Sequence, residues 1–511
     1  MGRSSAQEKD TPPCAENVDH ATQLPDISID PNLISKDIQT FFDGYSGPRD
    51  WEPAEEAKLR HKIDRKLLSI LCCTYALQYY DKAVLGQAAI FGLKEDLAIN
   101  IGNRYSMSAS IFYLGFICGA YPATFIAQKY NIRLVAGGIC AIWGVCMTCT
   151  AAVFNYRGLY AQRFFLGLIE AGVPPIFMLL VGAWYTKTEQ AYRMGIWYSC
   201  TGFISMFSPL VNYGIGHITD GALQPWQYMY IFAGGVTLLW SLVVAFLLPS
   251  DPFNANGFSD RERYIALARV RQNNAGVRDT TFRFDQLRET ITDIRFLLVC
   301  VMAFLITIAN GPVSSFAPII INSFGFNPLN SLLLGMPAGF WGGLIELIGP
   351  FAAYKIPQSR TIIIVVVQLG VVAACLVLLL LPWTNRPGLL IGVYLLSSFG
   401  GSYAVLMGLQ LANTAGYTKR VVVSSGIYIA YCVGNFIGPL IFAESTAPRY
   451  RPGFIITLVT ACLAAAVSMW YRLNVQAENK RRDASGVSES YEQAFDNDLT
   501  DLTNPHFRYV L

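Results

Sequence analysis

Thr361–Leu381 reads TIIIVVVQLGVVAACLVLLLL, a run with no charged residue. About 20 apolar residues span the hydrocarbon core of a bilayer as a helix. This stretch is therefore a transmembrane helix. The same ruler finds about twelve spans: 67–90, 107–128, 134–154, 159–185, 194–217, 228–248, 296–321, 331–354, 361–382, 388–413, 421–443 and 453–473. Composition agrees, since 53% of the 511 residues are hydrophobic and 14% charged, with mean hydropathy +0.37. Soluble domains carry about 25% charged residues. An all-α integral membrane protein is the expected class.

The longest polar interruption divides the spans six and six. The expected organisation is a polar, mostly disordered cytoplasmic tail (1–60), a six-helix half (61–248), a cytoplasmic linker (249–295), a second six-helix half (296–473) and a polar tail (474–511) that also reads as disordered. Within the first tail, WEPAEEAKLRHKIDRKLL reads as an amphipathic helix at the inner membrane surface. No secretory signal precedes the first span. With the N-terminus inside, the short inner loops carry eight Lys and Arg and the linker eight more, against six in the outer loops. That bias places both termini in the cytoplasm.

Several classes fall away. A net charge of +3 without a basic face gives no case for nucleic-acid binding. Eleven of the 12 Cys lie in or beside apolar runs, where Cys behaves as a small apolar residue, the Cys146–Cys149 spacing included. The 4 His form no zinc-type spacing, and no metal or other cofactor is called for. No metalloprotease, phosphate-loop or nucleophile-elbow motif is present, so an enzyme is not expected.

What remains unusual is charge inside spans. LQYYDKAVLGQ (Leu77–Gln87) sets Asp81 and Lys82 side by side, and Arg163 and Glu170 lie in the fourth span. Charge at membrane depth is expensive unless it faces a partner or a cavity, so such residues are functional candidates by default. Neighbours on a helix point about 100° apart, and residues seven apart share a face about 10 Å apart along the axis. Two cross-helix pairs are therefore expected, Asp81 with Arg163 and Lys82 with Glu170. Asp81 and Glu170 are the expected proton-coupling groups, because burial raises a carboxyl pKa and a neighbouring cation lowers it. An anion entering the cavity competes for the cation and frees the acid to take a proton. Lys82, Arg163, Tyr80, Asn310, Gln410 and Asn435 are the candidate anion-binding residues. Gln78, Tyr79, Tyr198, Asn212, Asn413 and Tyr431 read mainly as interhelical hydrogen bonders. Glu346, in the eighth span, is a third carboxylate with no readable partner. Gly335, Gly339 and Gly343, and again Gly434 and Gly438, form small faces for close helix packing.

Two six-span halves around a midplane site is the layout of major facilitator carriers. More specifically, LQYYDKAVLGQAAIFGLKEDLAI, RFFLGLIEAGVPPIFMLLVGAWYTKTEQAYRMGIWY, NTAGYTKRVVVSSGIYIAYCVGNFIGP and the tail DLTDLTNPHFRYVL resemble fungal allantoate-permease-type carriers. These belong to the anion:cation symporter branch of the major facilitator superfamily. The resemblance implies a twelve-helix fold and proton-coupled uptake of a small organic anion (a ureide, vitamin-like carboxylate or small peptide) across the plasma membrane. It also implies that the acidic–basic pair of the first span and RxxxGxxE of the fourth carry coupling and anion binding, here Asp81, Lys82, Arg163 and Glu170. Lys82 stands where many members have Arg, offering a point charge in place of a bidentate fork. In AQKYNIRL, Lys129 and Arg133 match a degenerate gate motif. The chain is expected to act as a monomer in the lipid bilayer. An exporter of drug-like compounds and a non-transporting nutrient sensor are the competing readings.

Overall fold

The computed structural model describes residues 41–42, 44–218, 221–250, 252, 255, 257–274, 283–485 and 499–511. Met1–Arg49 forms one unit, in which Phe41 packs against Phe42 and Tyr45, and Asp50–Leu511 forms the other.

The larger unit is a helical bundle. A surface helix α1 (Pro53–Ile63) runs through a π-helical turn, Asp64–Leu68, into α2 (Ser69–Ala88). Then come α3 (Arg104–Lys129), α4 (Ile132–Cys149), the broken pair α5 (Tyr156–Glu170) and α6 (Val173–Trp184), α7 (Lys187–Ile215) and α8 (Pro225–Leu247). Two linker helices follow, α9 (Asp260–Asn274) and α10 (Phe284–Thr292). The second half holds α11 (Ile294–Ile308) and α12 (Ala317–Ser323), α13 (Pro328–Lys355), α14 (Arg360–Leu380), the pair α15 (Arg386–Leu396) and α16 (Phe399–Ala412), α17 (Tyr417–Leu440) and α18 (Arg451–Ala484).

Among the described residues, 10 helical runs are long and apolar enough to cross a membrane. Helices α2 and α7 complete the twelve. They fall short in apolarity because α2 carries Gln78, Asp81, Lys82 and Gln87, and α7 mixes Ser, Gly, Tyr, Pro and Asn among its apolar residues. Pro312 lies in the break between α11 and α12, Pro318 lies in the first turn of α12, and Pro174 and Pro175 lie in the first turn of α6. Proline there removes a backbone donor where the helix is already interrupted.

The halves repeat one packing scheme. In the first, α8 packs on α4, α5 on α3 and α7 on α2; in the second, α18 packs on α14, α16 on α13 and α17 on α11. The halves meet along α7 against α13 and α3 against α17, again a symmetric pair. Small residues set these approaches. A Cβ on Gly202 would overlap the backbone of Gly343, and one on Gly339 would overlap Ser205 and Met206. Gly434 and Gly438 likewise abut the backbone of Phe304 and Ile308. Both glycine faces thus act as the sequence expects, while Gly335 faces the central cavity.

The ends depart from expectation. Helix α1 exists, but it docks on protein: Lys62 pairs with Glu262 at 2.6 Å and Arg261 with Glu55 at 3.0 Å, both across to α9. Residues 1–40 of the expected N-terminal tail lie outside the described residues. At the other terminus, α18 continues to Ala484, eleven residues beyond the expected end of the last span. Residues 499–511 are not a free tail. Asp501, Asn504, Phe507, Tyr509 and Leu511 are buried against the second half. Arg482 donates to the carbonyls of Asp501 (2.9 Å) and Phe507 (2.8 Å). Asn413 and Asn479 pair with the backbone of Val510 and Tyr509. Side-chain amides here take the place of a neighbouring strand and satisfy the segment's backbone groups.

Candidate functional site: a polar cavity between the halves

The central cavity encloses about 100 Å³. One water needs roughly 10–15 Å³ of such space, so several waters or one small solute fit. Helix α2 presents Tyr75, Gln78, Tyr79 and Lys82 to it. That is the i, i+3, i+4, i+7 stripe of a single helix face. Opposite, α13 presents Glu346, the break after α11 Asn310, α16 Tyr403 and α17 Tyr431.

Lys82 is the cation on this wall, and two rings of α3 hold it. Its Nζ lies 5.0 Å from the ring centres of both Phe112 and Phe116. A cation over an aromatic face is attracted by the ring quadrupole and keeps its charge available. Glu170 is its expected partner, yet no ion pair within 4.0 Å forms between the two. Lys82 thus has a cavity on one side and an acid behind it.

Asp81 points the other way, as its 100° offset requires. It is fully buried, turned toward Trp143 of α4 and Thr237 of α8, neither of which closes a hydrogen bond to it. Arg163 is 2% exposed and donates to Tyr230 Oη at 2.8 Å. Glu170 is fully buried, and Gln78 donates to its backbone carbonyl at 3.1 Å, not to its carboxylate. Among the described residues, all four carboxylate oxygens of Asp81 and Glu170 lack a hydrogen-bond partner. The expected pairs Asp81–Arg163 and Lys82–Glu170 are corrected accordingly. The four charges are gathered, but aromatic rings and a tyrosine hydroxyl occupy the cations. Asp81, on the far face of α2, and Arg163 and Glu170, behind that face, are off the cavity wall.

The other candidates divide. Asn310 lines the cavity and donates to Asn435 Oδ1 (2.5 Å) and Tyr113 Oη (3.3 Å). Asn435 supports Asn310 from behind. Tyr80 is off the cavity: its hydroxyl donates to Asn212 (2.9 Å), Asn212 donates to Gln87, and Gln87 to Ser208 (2.9 Å). Its neighbour Tyr79 takes the wall position. Gln410 is also off the cavity and reaches Ser424 at 3.5 Å. Asn413 serves the C-terminal segment and Tyr471. Lys129 lies over Tyr130, 5.8 Å from the ring centre, and the Asn131 side chain caps α4 at the Arg133 backbone N–H. Among the described residues neither Lys129 nor Arg133 forms an ion pair, so no latch is built from them here. Inter-element pairs at that end use Glu189 with Arg269 (2.6 Å) and Arg60 (3.3 Å), and Asp64 with Arg193 (3.1 Å).

The sequence pattern does not single out Tyr75, Tyr113 and Tyr403 as site residues. With Tyr198 and Tyr431 they form a chain of rings that crosses between the halves. The steps are Tyr75–Tyr198 (6.1 Å), Tyr198–Tyr403 (6.1 Å), Tyr403–Tyr431 (5.0 Å) and Tyr431–Tyr113 (6.4 Å). Reading back from Lys82 along one helix face would have found Tyr75. At the end away from the linker, the halves are joined by Lys94–Glu444 (2.9 Å), Tyr105 Oη to the Ser315 carbonyl (2.5 Å) and Ser106 Oγ to the Phe442 carbonyl (2.9 Å).

Two symmetric six-helix halves around a polar midplane cavity describe a carrier. Residues 71–439 match the Major Facilitator Superfamily. The chain belongs to that family. It is 30% identical over 486 residues to the allantoate permease of Saccharomyces cerevisiae, covering 90% of this chain and 87% of that protein. It is also 30% identical to the thiamine pathway transporter THI73 of the same yeast, covering 89% and 86%. Among solved structures, the partially occluded inward-open xylose transporter XylE of E. coli superposes with a TM-score of 0.61 at 13% identity, covering 80% of this chain and 97% of that one. This major facilitator protein is thus a multi-pass membrane protein of the allantoate permease kind, with transporters as its relatives.

Proposed function

We propose that this carrier imports a small organic anion together with protons by alternating access, with both termini in the cytoplasm and the plasma membrane as its site. The observation that supports this most is the placing of Lys82. It faces the cavity while the unpaired carboxylates of Asp81 and Glu170 lie behind it. A buried carboxylate without a partner is costly at membrane depth, and a proton removes the cost. An anion at Lys82 draws on the charge that otherwise stabilises ionised Glu170. Glu170 then takes a proton, and the loaded carrier crosses with its charges balanced. Asp81, set against Arg163 and away from the cavity, is the second proton-exchanging acid. Arg163 acts on it through the field rather than by touching substrate. Asn310, positioned by Asn435, supplies an amide to orient the anion.

A ureide, vitamin-like carboxylate or small peptide suits a cavity lined, among the described residues, by Lys82, Glu346 and several amide and hydroxyl groups, and the allantoate and thiamine-pathway relatives support that class. The test is uptake of radiolabelled allantoate and a panel of small carboxylates by cells expressing the protein. Acid-stimulated, protonophore-sensitive accumulation is expected. Asp81→Asn and Glu170→Gln are expected to abolish the pH dependence, and Lys82→Ala to raise the half-saturating concentration. Accumulation that rises only when the protein is deleted would establish export instead.

A further inference from the structure

Glu346 is a carboxylate that the mechanism above leaves unused. It lies mid-helix on α13, lines the cavity and is 8% exposed. Its Oε2 accepts from Thr201 Oγ1 at 2.9 Å. Its Oε1 fills the space left by Gly400, where a Cβ would overlap it. The position is also mechanical. Thr201 precedes Gly202, whose backbone meets Gly343 of α13, so the Thr201–Glu346 bond sits at the joint where the halves touch.

The titratable groups facing Glu346 are Tyr75 and Tyr79 of α2 and Tyr198 and Cys200 of α7. Tyr403 of α16 lies against Tyr198 with its ring tilted, and Lys82 shares the cavity. Among the described residues, no Lys, Arg or His stands within ion-pair distance of Glu346. The Thr201 hydroxyl and the Gly202 backbone N–H are its donors, and without a cation they do not fully compensate an ionised carboxylate in a low-dielectric site. Water in the cavity can, as long as the cavity is wet. When the halves rock across the α7–α13 joint, the solvent at Glu346 changes sides.

We propose that Glu346 is a third proton-exchanging carboxylate, which takes a proton from the solvent on one side of the membrane and returns it on the other. The oxygen binds H⁺ without breaking any other bond, and the neutral acid crosses. Its part in transport rests on the reading of proton-coupled uptake. Each cycle then carries one proton more than Asp81 and Glu170 supply.

The test is infrared difference spectroscopy of the purified full chain in lipid nanodiscs, stepping the pH and following the C=O stretch of protonated carboxyls. Glu346→Gln keeps the acceptor for Thr201 and is expected to remove one titrating band while leaving the others. Thr201→Ala keeps Glu346 and is expected to shift that same band, since a hydrogen bond to the carboxyl is lost. This second variant decides the matter if Glu346→Gln fails to fold. A Glu346→Gln spectrum that superimposes on the unsubstituted protein, or a Thr201→Ala spectrum with no band moved, overturns the proposal. Asp81→Asn and Glu170→Gln report separately. If their bands do not titrate while that of Glu346 does, the reading of the first-half acids fails and this one stands.

Discussion

Two clusters of buried charge sit in this protein, and they are built oppositely. In the first half, Asp81 and Glu170 are 0% exposed and none of their carboxylate oxygens has a hydrogen-bond partner among the described residues. At the linker end of the second half, Lys419 is 2% exposed and meets Asp293 (2.9 Å), Glu289 (3.0 Å) and Asp501 (3.0 Å). Equal burial therefore goes with opposite satisfaction. The Lys419 cluster ties together the linker helix α10, the start of α17 and the C-terminal segment, and its charges have nothing left to do but hold. The Asp81–Glu170 cluster keeps its charges free of partners and one residue away from a cavity. Burial alone identifies neither role; the count of partners does.

The largest expected effect tests the satisfied cluster. Lys419→Ala leaves Asp293, Glu289 and Asp501 facing each other without their cation. Breaking a buried pair by removing one partner costs about 3–5 kcal/mol. A marked fall in melting temperature and rapid proteolysis of residues 499–511 are expected, with the first-half helices still folded. A stability unchanged by Lys419→Ala would show that the cluster is as slack as the other.

The far-end pair is intermediate. Lys94 and Glu444 are only partly shielded, their side chains 10% and 24% exposed, and Lys94 also lies 5.0 Å from the Tyr105 ring centre. Lys94→Ala is expected to cost at most about 1 kcal/mol of stability. Its clearer effect is on the balance of conformations, because the pair joins the two halves. Cysteine-accessibility labelling of cavity residues from the far side is expected to increase.

The unsatisfied cluster predicts the reverse of the first. Asp81→Asn and Glu170→Gln remove carboxylates that accept no hydrogen bond and form no ion pair within 4.0 Å among the described residues. Stability is expected to stay within about 1 kcal/mol of the unsubstituted protein or to rise, while pH-driven uptake is lost. Loss of stability comparable to Lys419→Ala would mean that these acids hold the half together as static pairs.

The sequence carries the fold almost entirely, because span length and apolarity are local properties. It also singles out Asp81, Lys82, Arg163 and Glu170, since charge in an apolar run needs no tertiary information to be noticed. Their pairing is a different matter. Helix periodicity fixes the angle between Asp81 and Lys82 but not which side chains arrive from α3 and α8. Phe112 and Phe116 claim Lys82, and Tyr230 claims Arg163. The same limit explains why Tyr79, rather than Tyr80, reaches the wall: one residue is 100° of helix, and only the position of the cavity decides which one faces it. The C-terminal segment is hidden by composition. Its charged and polar residues suggest a solvated tail, yet Phe507, Tyr509 and Leu511 alternate as an extended chain with one buried face does.

The smallest expected effect distinguishes burial from pairing inside the satisfied cluster. Asp501 is 1% exposed, and burial holds its carboxyl above its ordinary value of 3.8, with Lys419 and the Tyr509 hydroxyl opposing. The folded protein therefore binds this proton more tightly than the unfolded chain does. By linkage, the stabilisation from protonating Asp501 is fully present below about 3.8 and is lost as pH rises through the elevated folded value. Asp501→Asn removes that titration and keeps an oxygen for Tyr509, which donates to Asp501 Oδ2 at 2.8 Å. Lys419 retains Asp293 and Glu289. The variant is expected to change stability by less than about 1 kcal/mol at neutral pH. Protection factors at the Tyr509 and Val510 amides, that is, exchange corrected for its intrinsic pH dependence, are expected to rise on acidification in the unsubstituted protein and to lose that trend in the variant. If Asp501→Asn instead frees the segment as completely as Lys419→Ala, the ion pair outweighs the desolvation of its carboxylate, and the cluster is held by attraction through every one of its contacts.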